Sequence, residues 1–266
     1  MRIAVVMPVY NEERWVRASV ERLLRVQGRL TGTETGGLDP LFETVSWDVI
    51  LVDDGSGDRS AEILRELAAS HGLHAITHQH NRGKGAAIRT GLAAAMLRGA
   101  DVVLVHDADL EYDPADHAAV LAPILDGRAD AVIGSRFIGQ THRVLYYWHS
   151  VANRLITTLC NMSTNLNLTD VECCTKAFSR AVLERLTLTE ERFGIEIELI
   201  ARVARLRMPD GDRARRARVY EVAVSYAGRT YEEGKKITWR DGAAALWCIV
   251  LHSLGPDRPA PSAPAR

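Results

Sequence analysis

The sequence predicts an α/β fold in which a mostly parallel sheet is flanked by helices on both faces. Short apolar runs alternate with helical patterns through the first half of the chain. Polar clusters follow three of these runs directly, as they do where parallel strands end at a ligand-binding crevice. The chain has 266 residues, 47% of them hydrophobic, and can bury a substantial core as one large domain or two small ones.

The first half of the chain supplies the predicted strands and the helices between them. Strands are expected at residues 3–7, 49–52, 75–77, 102–105 and 131–135, and helices begin near Glu12, Ser60 and Gly85. Asn11 is the expected N-cap of the first helix, in which Val16, Val20 and Leu23 lie on one apolar stripe. Residues 28–46 are rich in Gly and Thr and are expected to form a surface insertion.

The second half is less regular. A helical pattern rich in Tyr, Trp and Leu at residues 145–159 is followed by a polar segment at 168–176, a helix at 195–206, an alternating strand at 219–226 and a basic loop at 228–236. The aromatic helix either packs in the core or lies at a bilayer surface, where aromatic amphipathic segments are found. Residues 256–266 are rich in Pro and Ala and are expected to be disordered.

Composition and charge narrow the class of protein. A formal net charge of −1 gives no reason to expect a nucleic-acid partner. The four cysteines lack the paired spacing of a zinc site, and His74, His78 and His80 are expected to be structural or solvated. There is no secretory signal pattern, and the longest apolar stretch near the C-terminus is far below the roughly 20 residues that span a bilayer. We expect a cytoplasmic protein with reduced thiols, whose contact with the inner face of the membrane is at most peripheral.

The buried strand at residues 102–105 is followed by two carboxylates, Asp107 and Asp109, on either side of Ala108. The spacing of two residues at a strand end points both side chains the same way. Two carboxylates that face one point repel each other unless a cation lies between them, and oxygen ligands suit Mg²⁺ or Mn²⁺. The pair therefore predicts a metal site that holds a phosphate.

Two further polar clusters follow the first and second strands, at residues 8–12 and 53–56. The turn Gly83-Lys84-Gly85 opens the next predicted helix, so its backbone N–H groups and the Lys84 ammonium are expected to approach an anion closely. Arg89, about one helical turn further on, supports this interpretation. The three clusters and the turn are expected to converge on one crevice.

These motifs, in this order, resemble those of the family-two glycosyltransferases, and in particular the dolichyl-phosphate and polyprenyl-phosphate mannosyl- and glucosyltransferases. The resemblance rests on Pro8-Val9-Tyr10-Asn11-Glu12, Asp53-Asp54-Gly55-Ser56, Asn81-Arg82-Gly83-Lys84-Gly85, Asp107-Ala108-Asp109, Gly134-Ser135-Arg136 and Thr169-Asp170-Val171-Glu172 with Lys176. It implies a GT-A (Rossmann-like) fold and an inverting, metal-dependent transfer from a nucleotide sugar. We expect a single domain at 1–255, in which 1–136 bind the nucleotide sugar and 137–255 form the acceptor side.

The resemblance also implies roles for individual residues. It assigns the nucleoside to Pro8, Tyr10, Glu12 and Asp53, and the metal ion to Asp107 and Asp109. The full set expected around the donor is Pro8, Tyr10, Asn11, Glu12, Asp53, Asp54, Gly83, Lys84, Arg89, Asp107 and Ala108. Relatives often have Gln where this chain has Glu111, and its carboxylate is expected to be a third ligand of the Mg²⁺ or Mn²⁺ ion.

The acceptor side leaves two chemistries open. A hydroxyl acceptor needs a general base, for which Asp170 is the candidate, with Glu172 beside it in the catalytic segment. A lipid phosphate is already anionic and needs cations to position it instead. The cations available for that role are Arg136, Lys176, Arg229, Lys235 and Lys236. Glu196 and Glu198 are expected to organise the site or to cap a helix.

The leading hypothesis is therefore a glycosyltransferase that moves a hexose from a UDP- or GDP-sugar to a polyprenyl phosphate. One alternative keeps the donor chemistry and uses a soluble hydroxyl acceptor, such as a metabolite, a saccharide or a natural product. Another is a noncatalytic module that binds nucleotide sugars.

Overall fold

A seven-stranded, mostly parallel sheet forms the centre of the protein, as the sequence predicts. The computed structural model describes residues 1–32, 39–139, 143, 146–229 and 239–254. The strands are β1 (Arg2–Val9), β2 (Ser46–Asp53), β3 (His74–Thr77), β4 (Val102–Val105), β5 (Ala131–Ser135), β6 (Lys176–Ser179), β7 (Arg207–Asp210), β8 (Arg213–Arg216) and β9 (Val219–Ala223). The helices are α1 (Val16–Leu30), α2 (Ser60–His71), α3 (Lys84–Leu97), α4 (His117–Leu125), α5 (Tyr147–Thr164), α6 (Arg180–Leu183), α7 (Ile195–Arg205) and α8 (Trp239–Ile249), followed by a π-helical turn at Val250–Leu254.

The strand order in the central sheet is β3-β2-β1-β4-β6-β5-β9. Strands β1 to β4 are mutually parallel, and β5 is parallel to β9. Strand β6 runs antiparallel to both of its neighbours, β4 and β5. This insertion brings the segment that precedes β6 beside the end of β4, where the two aspartates lie.

Both faces of the sheet are buried, and β1 shows why. Its alternate residues Ile3, Val5 and Met7 pack in the core under α1, α2 and α4, while Ala4 and Val6 pack on the opposite face with α3 and α7. Continuous burial of this kind produces the unbroken apolar runs that predicted the strands. A third apolar cluster joins α5, α7 and α8.

The first helix begins later than the sequence predicts, at Val16 instead of near Glu12. Asn11 is not its N-cap. Asn11 has a φ of 51°, and its side-chain oxygen accepts a hydrogen bond from the Gly57 N–H at 2.8 Å. The polar side chain thus links the loop after β1 to the loop after β2, which left-handed Asn residues in loops can do.

Within the described ranges, no helix is both long enough and apolar enough to cross a membrane.

Candidate active site

Three carboxylates from two loops meet at the carboxyl end of the sheet. Glu12 comes from the loop after β1, and Asp109 and Glu111 come from the loop after β4. Each accepts from the Arg229 guanidinium, with N–O distances of 3.2 Å to Glu12, 2.9 Å to Asp109 and 3.4 Å to Glu111. The sequence predicts Arg229 as an acceptor-binding residue, whereas the structure places it on these acids. We call Glu12, Asp107, Asp109 and Glu111 the acid cluster.

Asp107, the fourth member of the acid cluster, faces a second cation. Its Oδ2 lies 2.8 Å from Lys84 Nζ, which is also 3.1 Å from Glu196 Oε1. The other oxygen of Glu196 pairs with Lys176. Burial opposes the charged form of Lys84, but Asp107 and Glu196 hold its pKa well above the usual value. Lys84 is therefore a fixed positive charge beside the metal-binding candidates.

The acid cluster has the donor set of a hard divalent cation. Asp107 Oδ1 is buried and has no hydrogen-bond partner among the described residues. Burial, together with the charges of Asp107 and Glu111, raises the pKa of Asp109 to about 7, even though Arg229 acts against the shift. The four carboxylates of the acid cluster are paired with two basic side chains, Lys84 and Arg229. Carboxylate oxygens are the ligands that Mg²⁺ and Mn²⁺ prefer. The residues present fit the ion that the sequence predicts.

Asp54 holds the turn that carries Lys84. Its Oδ1 accepts from the Arg82 N–H at 3.0 Å, and its Oδ2 accepts from the Gly83 N–H at 2.7 Å. His78 lies 2.7 Å from the same carboxylate and 2.9 Å from the hydroxyl of Thr90, so its role is structural. The sequence predicts Asp54 as a donor-binding residue. In the structure its side chain is buried and fixes the conformation of the turn through these hydrogen bonds.

Gly83 needs to be glycine for two reasons. Its φ of 105° is a conformation that L side chains rarely adopt, and a Cβ atom there would lie 2.4 Å from the carbonyl oxygen of Glu191. A Cβ on Gly85 would lie 2.5 Å from the carbonyl oxygen of Glu190. The turn is thus packed tightly against residues 190–192.

The loops after β1 and β2 are joined by hydrogen bonds. Ser56 accepts from the Asn11 N–H at 2.9 Å, and Ser60 accepts from the Glu12 N–H at 2.8 Å. Asp53 is buried and receives the Ser56 N–H at 3.3 Å. Pro8 lies near the end of β1 and Tyr10 directly after it, and Ala108 is buried between the two aspartates. The structure thus brings most of the predicted donor-binding residues together.

Arg89 lies apart from this group. It follows Lys84 by five residues, which rotates its side chain by about 140° around the α3 axis. Its guanidinium donates to the carbonyl oxygen of Thr189 at 3.1 Å, and it lines a surface cavity with Met96 and Leu188. The structure therefore does not bring Arg89 together with the other predicted donor-binding residues.

On the acceptor side, Arg136 and Asp170 form a two-pronged ion pair. The Arg136 Nε and Nη2 atoms lie 2.6 and 2.8 Å from the Asp170 carboxylate, and Asn153 of α5 donates to the same group at 3.3 Å. Burial would raise the pKa of Asp170, but the Arg136 guanidinium holds it below the usual value. Asp170 is fully buried and paired, which is unlike the free general base expected for a hydroxyl acceptor.

In the segment before β6, Glu172 is the carboxylate whose surroundings suit a general base. Its Oε1 is buried without a hydrogen-bond partner in the part of the chain that the structure describes. Burial and the charge of Glu196 raise the pKa of Glu172 to about 7.

Lys176 occupies a different place from the one expected of an acceptor-binding cation. Its side chain is fully buried and donates to Glu196 and to the carbonyl oxygens of Val171 and Cys173. A group enclosed in this way holds the segment before β6 in position and does not present a charge to a ligand. Lys235 and Lys236, also predicted to bind the acceptor, lie outside the described residues.

Sequence reasoning did not identify Glu196 as the link between Lys84 and Lys176, or Asn153 as a partner of Asp170. The sequence predicts only that Glu196 organises the site or caps a helix, on the evidence of the acidic residues at the start of α7. No feature of the α5 sequence singles out Asn153 among the polar residues of that helix.

Comparison with known proteins agrees with the motifs. The family described as Glycosyl transferase family 2 matches residues 4–187. An undecaprenyl-phosphate 4-deoxy-4-formamido-L-arabinose transferase of Aeromonas hydrophila is 28% identical over 235 residues, which are 88% of this chain and 62% of that protein. A protein of the same name from Pseudomonas aeruginosa is 33% identical over 71% of this chain and 50% of its own length. A UDP-N-acetylglucosamine–dolichyl-phosphate N-acetylglucosaminyltransferase of Methanococcus voltae is 28% identical over 70% of this chain and 72% of its own.

The chain therefore spans only about half to three-fifths of the length of the two arabinose transferases. Among solved structures, glucosyl-3-phosphoglycerate synthase of Mycobacterium tuberculosis, in complex with Mn²⁺, UDP and glucosyl-3-phosphoglycerate, superposes with a TM-score of 0.63 at 20% identity. That likeness covers 96% of this chain and 81% of the other. It confirms the predicted GT-A fold.

Proposed function

Because the chain belongs to glycosyltransferase family 2, we propose that it transfers a sugar, a hexose in the simplest case, from a UDP- or GDP-sugar to a polyprenyl phosphate. The observation that carries the donor half of the proposal is the acid cluster with Lys84 beside it. The acceptor half is supported by the names of the relatives, which act on undecaprenyl or dolichyl phosphate. We propose inversion at the anomeric carbon and dependence on a divalent metal ion.

On the donor side, the residues at the strand ends bind and orient the nucleotide. Asp107, Asp109 and Glu111 would hold the metal ion, which as a Lewis acid stabilises the negative charge of the departing diphosphate. Lys84 adds a second positive charge that is already desolvated and fixed. The joined loops after β1 and β2 form the wall against which the nucleoside is placed, and Asp53 lies in that wall.

On the acceptor side, the ion pair of Arg136 and Asp170 favours a phosphate. A phosphate oxygen is an anionic nucleophile, so it needs a cation to place it and no base to deprotonate it. Arg136 is only partly buried, and its guanidinium lies 5.1 Å from the centre of the Tyr226 ring. Asp170 and Asn153 fix the guanidinium from one side, so its remaining donors are oriented before an acceptor arrives.

The test is a transfer assay with the full chain. Purified protein is incubated with Mg²⁺ or Mn²⁺, a radiolabelled UDP- or GDP-sugar and a polyprenyl phosphate, and the label that enters the organic phase is counted. We expect metal-dependent label with the wild type and none with Asp109→Ala. Asp113→Asn, outside the acid cluster, serves as the control and is expected to keep activity. Donor binding without lipid label, and with label on a soluble acceptor, would overturn the lipid-phosphate proposal.

A hydroxyl acceptor is the second candidate, and Glu172 is the observation in its favour. A base at this position with a pKa near 7 would give a rate that rises with pH through about 7, because only the deprotonated form accepts a proton. Glu172→Gln would then lose about 10²–10⁴-fold in kcat and that pH dependence. For a phosphate acceptor we expect a loss of less than about tenfold. The measurement is the pH profile of kcat for both proteins.

We further propose that α5 and α8 rest on the membrane surface that carries the lipid acceptor. The two helices pack together, and their outer sides expose Trp148 to 75% and Trp247 to 66%, beside Leu155 and Val250. Large apolar side chains left exposed are typical of an interaction site, and tryptophans favour the membrane interface. Asn153 of the same α5 contacts Arg136, so one helix carries both the exposed Trp148 and a residue of the proposed acceptor site.

Replacement of both tryptophans by serine is expected to weaken binding to vesicles of phosphatidylcholine and phosphatidylglycerol about thirtyfold. Partial burial of each ring in the interface contributes about 1 kcal/mol, and the two together about 2 kcal/mol. Vesicle flotation measures the effect. Leu97→Ser is the control, because Leu97 is 89% exposed on α3, away from these helices. Equal flotation of the double variant and the wild type would contradict the proposal.

A further inference from the structure

We propose that Cys248, His252 and Glu190 form a zinc site that is separate from the acid cluster. One ligand atom from each of these side chains lies within 4.8 Å of the other two. The site is independent of the proposed transfer reaction, and none of its residues contributes to the acid cluster or to the acceptor-side ion pair. Sequence spacing did not reveal it, because one ligand is a distant carboxylate and the other two are a single Cys and a single His.

The fold presents these three groups to one point. Cys248 lies near the end of α8, and His252 follows one turn later in the π-helical turn, so both side chains lie on one side of the same helical segment. Both are about 95% buried or more. Glu190 comes from the loop before α7 and is partly buried. A thiol, an imidazole and a carboxylate therefore lie next to one another.

This combination of ligands selects the metal. Sulfur and nitrogen ligands suit Zn²⁺, whereas Mg²⁺ and Ca²⁺ prefer oxygen alone. In a tetrahedral zinc site with bonds of about 2.0–2.3 Å, neighbouring ligand atoms lie about 3.3–3.8 Å apart. The three groups therefore need to approach one another by at most roughly 1.5 Å to reach that geometry. A water molecule can complete the fourth position.

The imidazole is already oriented as in many zinc sites. His252 Nε2 lies 2.7 Å from Glu190 Oε1, and the other ring nitrogen, Nδ1, lies 3.5 Å from Glu198 Oε1. A histidine that binds zinc commonly directs its second nitrogen to a carboxylate, which fixes the ring. Glu198 is itself fixed, because it accepts from the Thr189 and Glu190 N–H groups at 2.8 and 2.7 Å.

Glu190 is hydrogen-bonded to both His252 and Cys248. Burial and the neighbouring Glu190 carboxylate raise the pKa of Cys248 to about 12, so the sulfur is a thiol that faces Glu190. Binding of Zn²⁺ would displace this proton, form the sulfur–zinc bond and release the proton to solvent. The total charge of thiolate, carboxylate and Zn²⁺ is then zero, which suits a buried site.

The ion would connect the C-terminal helix to the turn that carries Lys84. Glu190 belongs to the segment that packs on that turn, where the Glu191 carbonyl oxygen accepts from the Ala86 N–H at 3.0 Å. Gly194 lies at the other end of the same segment, and a Cβ there would lie 2.3 Å from Cys248 Sγ. Zinc would therefore stabilise both α8 and the surface against which Gly83 and Gly85 are packed.

The experiment uses Co²⁺ as a spectroscopic substitute in the full chain after treatment with a chelator. We expect one equivalent to produce thiolate-to-cobalt absorption that Zn²⁺ removes by displacement. Cys174 is the thiol beside the acid cluster, next to Asp107, and Cys174→Ser is expected to keep the absorption, which assigns the signal to Cys248. Cys248→Ser is expected to abolish the absorption, whereas Cys160→Ser, a buried cysteine outside the cluster, is expected to keep it.

Thermal unfolding gives a second readout. Zinc is expected to raise the Tm of the wild type and of Cys160→Ser, and to leave Cys248→Ser, His252→Gln and Glu190→Gln unchanged. The absence of thiolate absorption in the wild type would overturn the proposal, and so would an equal zinc-dependent rise in Tm in Cys248→Ser. If Cys248→Ser does not fold, the wild-type spectrum and Glu190→Gln still decide between the two outcomes.

Discussion

Replacement of Asp107 by Asn is expected to lower kcat/KM for sugar transfer about a thousandfold. Asp107 supplies a buried carboxylate oxygen without a hydrogen-bond partner among the described residues, and its second oxygen pairs with Lys84. An amide at this position lacks the negative charge that a divalent cation requires. Loss of a fixed charge that stabilises the departing diphosphate costs about 4 kcal/mol in the transition state, which corresponds to that factor.

Two measurements check this prediction. The first is the rate of lipid-linked label, and the second is Mn²⁺ binding followed by electron paramagnetic resonance, which is expected to weaken in parallel. The fold should persist, because Lys84 keeps Glu196 as a partner. Asp113→Asn is the matched control, since Asp113 caps a short 3₁₀ helix at Pro114–Asp116 and pairs with Arg22. An Asp107→Asn enzyme within about threefold of the wild type would show that the acid cluster does not hold the catalytic ion.

Replacement of Lys176 by Met is expected to destabilise the protein by about 3–5 kcal/mol. Removal of one partner from a buried ion pair leaves the other charge without compensation, which is the main source of that cost. Glu196 would retain only Lys84, which it shares with Asp107, and the carbonyl oxygens of Val171 and Cys173 would lose their donor. Urea unfolding measures the change in the free energy of unfolding.

The double variant Lys176→Met/Glu196→Gln is expected to recover part of this loss, because it removes the unpaired charge as well. Arg59→Met is the control for an exposed pair, since Arg59 and Glu62 lie on the surface, and it should leave stability nearly unchanged. If Lys176→Met were as stable as the wild type and only failed to bind polyprenyl phosphate, Lys176 would be the acceptor ligand that the sequence predicted.

The parts of the fold that were predictable from sequence are those that depend on local patterns. The run Val102–Val105 is apolar throughout because the strand is buried on both faces, and the two aspartates follow it at the sheet edge. Motif order then identified the family. None of this required knowledge of contacts between distant residues.

Long-range contacts account for what was missed. Nothing in the sequence around Lys176 indicates that its side chain is buried. The buried charge is compensated by Glu196, which is 20 residues later in the chain and lies beside it. Arg229 contacts Glu12 across 217 residues of sequence, so its position on the acid cluster could not be inferred from the basic loop around it. Asn11 matched the N-cap preference, but a partner in another loop, Gly57, competed for its side chain.

The contacts of Asp54 also affect the thermodynamics of ligand binding. Because this carboxylate and His78 fix the Gly83 turn during folding, the turn does not have to lose conformational entropy again when a diphosphate arrives. If the proposed donor binds here, the backbone of this turn is preorganised for it, and a larger share of the contact energy is available for affinity. Loosening of Asp54 would therefore weaken donor binding through disorder in the free protein, without removal of any contact to the nucleotide.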